Sequence, residues 1–396
     1  MRNLFICLVL IALVLLARST SVDNLESGAC LGLFLFFPVV AAQWFNKILL
    51  PSHLGALLAG LAIGVSGLAP STGLESLQIF AQVAGVYVCL RVGSLLSPYI
   101  FLNLRILKTS AIVVGVTFLI ISTFMKTLWG LSLTTSVYLG LIGSITAPLF
   151  TLLSRTDRKA GQMVSSVTTG ISLLLLAAFH MTLDFKGLDV AIYESLAFLI
   201  FLEIAYWTLR QIRTEHGIYL FFGILSILLF FVARHSEIPP VFLAVPTGFL
   251  LRIREGRRQV DWPGAAQPLS PVVIPFVLAY LAASIVLPLP LMKSVHWQMA
   301  LTFSAAMFAG KGLAVWLASK FFNMPGRDWL QILPQGLFAV LLLQFSLQQS
   351  DEISSSAGIV LAAFLINSVG ISLLLPIFHI ILEKIKIRRL EALQAP

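Results

Sequence analysis

Long apolar runs separated by short polar intervals occupy almost the whole chain. A helix needs roughly 20 predominantly apolar residues to cross a bilayer, because backbone groups left unpaired in hydrocarbon are costly. Read on that scale, the runs predict fourteen helices, over 4–17, 29–47, 52–68, 77–98, 108–125, 132–153, 162–182, 192–210, 217–234, 238–252, 271–290, 297–320, 330–348 and 357–382. The runs are continuously apolar and lack the period-two alternation of barrel strands, so a β-barrel is excluded. The expected fold class is an all-α polytopic membrane protein with about 13–14 transmembrane helices. The first run follows Arg2 and is either an extra membrane helix or a signal sequence, with Ala17-Arg18-Ser19 as a poor cleavage site.

Composition agrees with lipid as the principal solvent: of 396 residues, 58% are hydrophobic and 11% charged, too little polar material to cover a water-soluble surface. Net charge of +9 would suit a nucleic-acid binder if it were clustered, but the basic residues recur in short loops between hydrophobic runs. Nineteen of the 26 Lys and Arg residues fall on one side of the predicted membrane, including Arg105, Lys108, Arg155, Arg158, Lys159 and the group from Arg252 to Arg258. Five fall on the other side, Arg18, Lys126, Lys186, Arg234 and Lys293, while Arg91 and Lys311 lie inside helices. The asymmetry predicts an integral protein of a bacterial inner membrane with both termini cytoplasmic, its partners being lipid and not nucleic acid. Cys7, Cys30 and Cys89 all sit in predicted helices, which argues against a disulfide framework or a metal cluster.

The longest polar interval, 252–269, could join two halves of one membrane domain. The phrase Leu50-Pro51-Ser52-His53-Leu54-Gly55, running on to Gly64-Val65-Ser66-Gly67-Leu68, resembles the second helix of the cation:proton antiporter superfamily, in its Kef-type and sodium/hydrogen exchanger branch. Further similar places follow in the family's order: Ile145-Thr146-Ala147-Pro148, Glu237-Ile238-Pro239-Pro240 leading to Gly248, Ile274-Pro275-Phe276, Gly310-Lys311-Gly312, and Pro334-Gln335-Gly336-Leu337-Phe338-Ala339. The resemblance covers roughly 30–385. It implies an exchanger-like transmembrane domain over 29–390, preceded by a hydrophobic helix and outer loop over 1–28 and followed by a short cytoplasmic tail over 391–396. It further implies inverted repeats, two crossed broken helices and alternating access between a core and a more static dimerisation domain.

On this resemblance Thr146 and Pro148 mark the first broken helix, and Pro334 and Gln335 the second, where paired helix ends offer opposed dipoles near the membrane midplane. Without it, a simple kink would account for the first. Two departures stand out. Arg and Glu commonly flank the glycine of the second break in the family, whereas this chain has Gln335 and Leu337. The family's paired acid on the helix after the first break is also missing: the chain reads Val167-Thr168-Thr169-Gly170-Ile171, with Thr169 and Gly170 at the acidic positions. A hydroxyl can help hold a cation but cannot exchange a proton for it near neutral pH.

Lys311 lies near the centre of its run, where an ammonium is expensive and usually has a partner or a wet cavity. The resemblance equates it with the family's core lysine and makes it a candidate proton carrier; the alternative is a lysine that snorkels or pairs with a neighbour. Glu203 and Arg91 lie about two turns from a cytoplasmic helix end and suit snorkelling or inter-helix contacts. His180 shares a helix with Thr169, but eleven residues place it about 16 Å along the axis. Gly60 and Gly64 form a small-xxx-small pair for close packing within one subunit or at a homodimer seam. No metal motif, phosphate loop or hydrolase elbow occurs on a suitable loop, so neither an enzyme nor a cofactor is expected. The expected function is exchange of a monovalent cation for a proton. The alternatives are an anion carrier or uncoupled ion pathway on the same scaffold, and a non-transporting scaffold or sensor.

Overall fold

The computed structural model describes residues 23–47, 52–68, 71–95, 103–146, 159–183, 188–212, 214–236, 238–255, 270–286 and 294–322, with residues 359, 362, 363, 366 and 367 beyond them. Among these residues the ordered elements are eleven helices. They are α1 (Asp23–Lys47), α2 (Ser52–Val65), α3 (Ser71–Leu95), α4 (Leu104–Trp129), α5 (Leu133–Ser144), α6 (Lys159–Leu183), α7 (Leu188–Gln211), α8 (Glu215–Ser236), α9 (Pro240–Glu255), α10 (Ser270–Val286) and α11 (Ser294–Phe322). Each answers to one of the apolar runs from 29–47 to 297–320. The runs over 4–17 and 330–348 lie outside the described residues, as does most of 357–382. Among the described residues, five helices contain stretches long and apolar enough to cross a membrane: Cys30–Lys47, Leu77–Ser94, Leu104–Trp129, His216–Ser236 and Trp297–Phe321.

Local chemistry sets several ends. The Asn103 side chain accepts from the backbone N–H groups of Arg105 and Ile106 and so caps α4. At its other end Gly130 takes a left-handed φ of 63° and donates its N–H to Lys126 O, a conformation that favours glycine. Ser132 opens α5 by accepting from Thr135 N. The run predicted over 132–153 stops being helical at Ser144, short of Pro148, and leaves α5 at 12 residues.

The packing sorts the helices into two sets. In one, α3 lies against α8, α9 and α10, α2 against α1 and α10, and α7 against α8 and α9. Small residues permit the closest approaches there: a Cβ added at Gly60 would run into the Ala279 backbone on α10, and one at Gly248 into Leu90 O on α3. Gly60 therefore serves packing within the subunit. In the other set, α4 packs on α5, α6 and α11, and α5 on α6 and α11. Residues 363 and 367 join this set, because Ser304 on α11 donates to Ala363 O and the Asn367 amide donates to Met307 Sδ. The main packing between the sets is α6 against α9. The interval 252–269 leads from α9 to α10, both in the first set, so the two sets do not divide there.

Polar burial is uneven. Among the described residues, every buried polar side chain except Gln82, Ser94, Ser226 and Thr247 belongs to the second set. Within 104–146, 159–183 and 294–322 there is neither Asp nor Glu.

Candidate functional site

The site grows from the premature end of α5. Ile145 turns extended at φ −63° and ψ 130°, and its N–H reaches back only to Ile142 O. With the helix ended at Ser144, the Ile145 and Thr146 carbonyls lie past its hydrogen-bonded ladder. Such orphaned groups can exist in a bilayer only where protein or a wet cavity meets them. Protein meets them here. Lys311, fully buried on α11, donates from Nζ to Ile145 O at 3.1 Å. On α6, Thr169 Oγ1 donates to Thr146 O at 3.1 Å, and the Thr146 and Thr169 hydroxyls lie 3.1 Å apart.

A second pair of hydroxyls stands one turn further along the same seam. Ser144 Oγ lies 2.8 Å from Ser172 Oγ; Ser144 also reaches Leu141 O at 2.7 Å and Ser172 reaches Thr168 O at 2.9 Å. Thr168 itself is fully buried, and its Oγ1 has no hydrogen-bond partner among the described residues. Between α4 and α11, the Thr117 Cα would be 3.0 Å from a Cβ placed at Gly310, the residue before Lys311. The α6 turn around Thr169, the end of α5 and the lysine of α11 thus converge on one buried cluster of oxygens, with no carboxylate among the described residues.

Of the residues singled out from the sequence, Thr146, Thr169 and Lys311 come together, and Thr168 sits one position away on the same turn. Pro148, Pro334 and Gln335 lie outside the described residues. Glu203 is exposed on α7 and Arg91 half-buried on α3, both in the other helix set. Sequence reasoning missed Ser144, Ser172 and the Ile145 carbonyl. A signal for Ser172 did exist: with Thr168 and Thr169 it puts three hydroxyls at i, i+1 and i+4 on one helical face.

The arrangement joins neutral oxygens to the buried Lys311 ammonium group. Four hydroxyl hydrogens, from Ser144, Thr146, Thr169 and Ser172, have the Leu141, Thr146 and Thr168 carbonyls and one another to bond to. These four can be consumed within the protein and leave lone pairs facing the cluster, whereas the Thr168 hydroxyl and the Lys311 ammonium group remain donors beside them. The C-terminal end of α5 adds the negative pole of its dipole.

No family model matches the chain, and no curated protein matches it. Solved structures do. The sodium proton antiporter MjNhaP1 from Methanocaldococcus jannaschii, in its structure at pH 8, superposes with a TM-score of 0.64 over 89% of this chain and 99% of that one, at 16% identity. At this identity the likeness is one of fold: the chain is an all-α protein with the sodium/proton antiporter architecture.

Proposed function

We propose that this chain is a secondary transporter of the cation:proton antiporter superfamily, which exchanges a monovalent cation for a proton at the end of α5, with Lys311 bearing the proton. The observation that carries this reading is the 3.1 Å bond from Lys311 Nζ to Ile145 O, beside the Thr146–Thr169 pair. A protonated lysine is a tethered cation, and it already occupies an oxygen that a free cation would want. The two compete. When the site opens to water, Lys311 gives up a proton, its neutral amine no longer holds Ile145 O by charge, and a cation takes the carbonyl and hydroxyl oxygens. On the other side the cation leaves and the amine regains a proton. One charge crosses in each direction, so the site is never occupied by two positive charges at once.

The packing supports alternating access between inverted repeats. Helices α2 and α3 pack on α10 and α9, and α1 and α8 pack on α10 and α3, as a two-fold relation of α1–α4 to α8–α11 requires. The hydrogen bond from Ser110 on α4 to Val164 O, at 3.3 Å, has its counterpart from Ser304 on α11 to Ala363 O, at 3.5 Å. Movement of the α4–α5–α6–α11 set against the other would carry the site from one face to the other. We place the protein in a bacterial inner membrane, both ends cytoplasmic, as a homodimer through the more static set.

The test is proton flux in proteoliposomes driven by a sodium or potassium gradient, in wild type and in Lys311→Gln at matched reconstitution. Wild-type exchange that fails in the variant is expected. Exchange unchanged in Lys311→Gln would remove the lysine from the mechanism. Flux driven by a chloride gradient alone would favour an anion carrier, and no flux under any gradient would favour a scaffold.

A further inference from the structure

We infer that the cation transported is of ammonium size and weakly hydrated, potassium and rubidium in preference to sodium and lithium. This rests on the exchange reading above and names the substrate class of that site. The size argument starts from what the site already holds: the Lys311 ammonium group, accepted by Ile145 O at 3.1 Å. An ammonium group and a potassium ion are close in radius, so a pocket that accepts one in place of the other is built for that separation. Sodium and lithium draw their oxygens in closer. The Ile145 and Thr146 carbonyls belong to backbone pinned at the end of α5 by Ile145 N–H on Ile142 O and by Thr169 on Thr146 O. They cannot all follow.

Field strength points the same way. Small ions hold their water more tightly than large ones, and a protein recovers that larger dehydration energy best with an ionised carboxylate. Among the described residues the ligands are neutral, carbonyls and hydroxyls, and no Asp or Glu occurs in α4, α5, α6 or α11. Neutral dipoles form a low-field site, whose number and strength of oxygens discriminate against the ion with the costliest dehydration.

Two measurements on the full-length purified protein test this. In proteoliposomes, proton flux is compared for equal gradients of potassium, rubidium, sodium and lithium; we expect potassium and rubidium to exceed lithium by about tenfold in apparent affinity, which corresponds to about 1.4 kcal/mol. In detergent, protection against thermal unfolding by each chloride salt at constant ionic strength should follow the same order, whether or not transport occurs. Sodium or lithium equal to or better than potassium in either assay overturns the inference and leaves the exchange reading standing. Absence of flux with all four ions, alongside stronger protection by rubidium than lithium, sinks the exchange reading and keeps the size class. Absence of both sinks both. Thr169→Asp adds a carboxylate beside Thr146 and should move the order toward sodium and lithium; the wild-type series decides the matter even if that variant does not fold.

Discussion

Thr169→Val removes one hydroxyl from the site while keeping the shape of the side chain. In the wild type that hydroxyl donates to Thr146 O and lies against Thr146 Oγ1, both at 3.1 Å, with Thr146 fully buried and Thr169 nearly so. Valine therefore leaves a buried carbonyl without its donor, which costs about 1–3 kcal/mol of stability. It also removes one of the oxygens proposed to hold the cation. If that oxygen contributes about 1 kcal/mol of net binding, the cation concentration giving half-maximal exchange rises roughly fivefold. Thr169→Ser keeps the hydroxyl and loses a methyl group, a change of about 1 kcal/mol in packing alone. The assay pairs thermal unfolding in detergent, followed by tryptophan fluorescence, with cation-dependent proton flux in liposomes. The expected pattern is destabilisation and weakened cation dependence in valine, with the cation dependence restored by serine. A valine variant as stable as wild type, with unchanged half-maximal cation concentration, would refute both the bond to Thr146 O and the role of this hydroxyl.

Lys311→Arg keeps the positive charge but replaces it with a guanidinium that does not release its proton, so exchange should be lost in a protein that still folds; wild-type exchange in this variant would sink the lysine as proton carrier. Gly248→Val should destabilise by about 1–3 kcal/mol, because its Cβ meets Leu90 O, a backbone atom that cannot step aside, whereas Gly223→Ala has nothing within 4 Å and should be neutral or mildly stabilising. Thermal unfolding of the two glycine variants side by side checks this, and equal stabilities would argue against the α3–α9 seam. Ser110→Ala and Ser304→Ala each remove one inter-helix hydrogen bond and should each lower stability by about 0.5–1.5 kcal/mol. A large effect from one with none from the other would speak against the two-fold relation of α4 and α11.

The helices were legible because lipid makes a blunt demand: a spanning segment must be long, apolar and internally hydrogen-bonded, and the runs from 29–47 to 297–320 meet it. The approach of α5 to its break was legible for a related reason, since Pro148 cannot continue a helix and the residue before a proline resists helical angles. The chain leaves the helix earlier than that, at Ile145. What selects that point is tertiary: the freed Ile145 carbonyl finds Lys311, 166 residues away. The Ser144–Ser172 pair was hidden for a different reason. Serines and threonines in membrane helices ordinarily bond to a carbonyl one turn back, as Ser226, Thr247 and Ser284 do here. Ser144 and Ser172 reach back as well, and nothing in local sequence reveals that they also meet each other across two helices.

The proposed two-fold relation also gives Lys311 a twin. Ser110 and Ser304 make corresponding hydrogen bonds, and seven residues after each stand Thr117 and Lys311. Four residues after their respective acceptors, Val164 and Ala363, stand Thr168 and Asn367. Thr117, Thr168 and Asn367 are all buried, and each has a side-chain oxygen without a partner among the described residues. Ser122, Trp129 and Ser136 of the same set carry unpartnered polar atoms among the described residues too, so it is position that singles these three out: in the proposed cycle, water or the cation would satisfy them. Thr117→Val tests this, because valine fills the same volume and removes the unpaired hydroxyl. An oxygen that is merely stranded imposes a desolvation penalty of about 1–3 kcal/mol, so its removal should stabilise the protein and leave transport alone. An oxygen that lines the path should show the same or smaller gain in stability together with a severalfold fall in flux. We expect the second result, measured by thermal unfolding and proteoliposome flux on the same preparation. Wild-type flux in a stabilised Thr117→Val protein would assign the hydroxyl to packing and confine the cation's path to the α5–α6–Lys311 cluster.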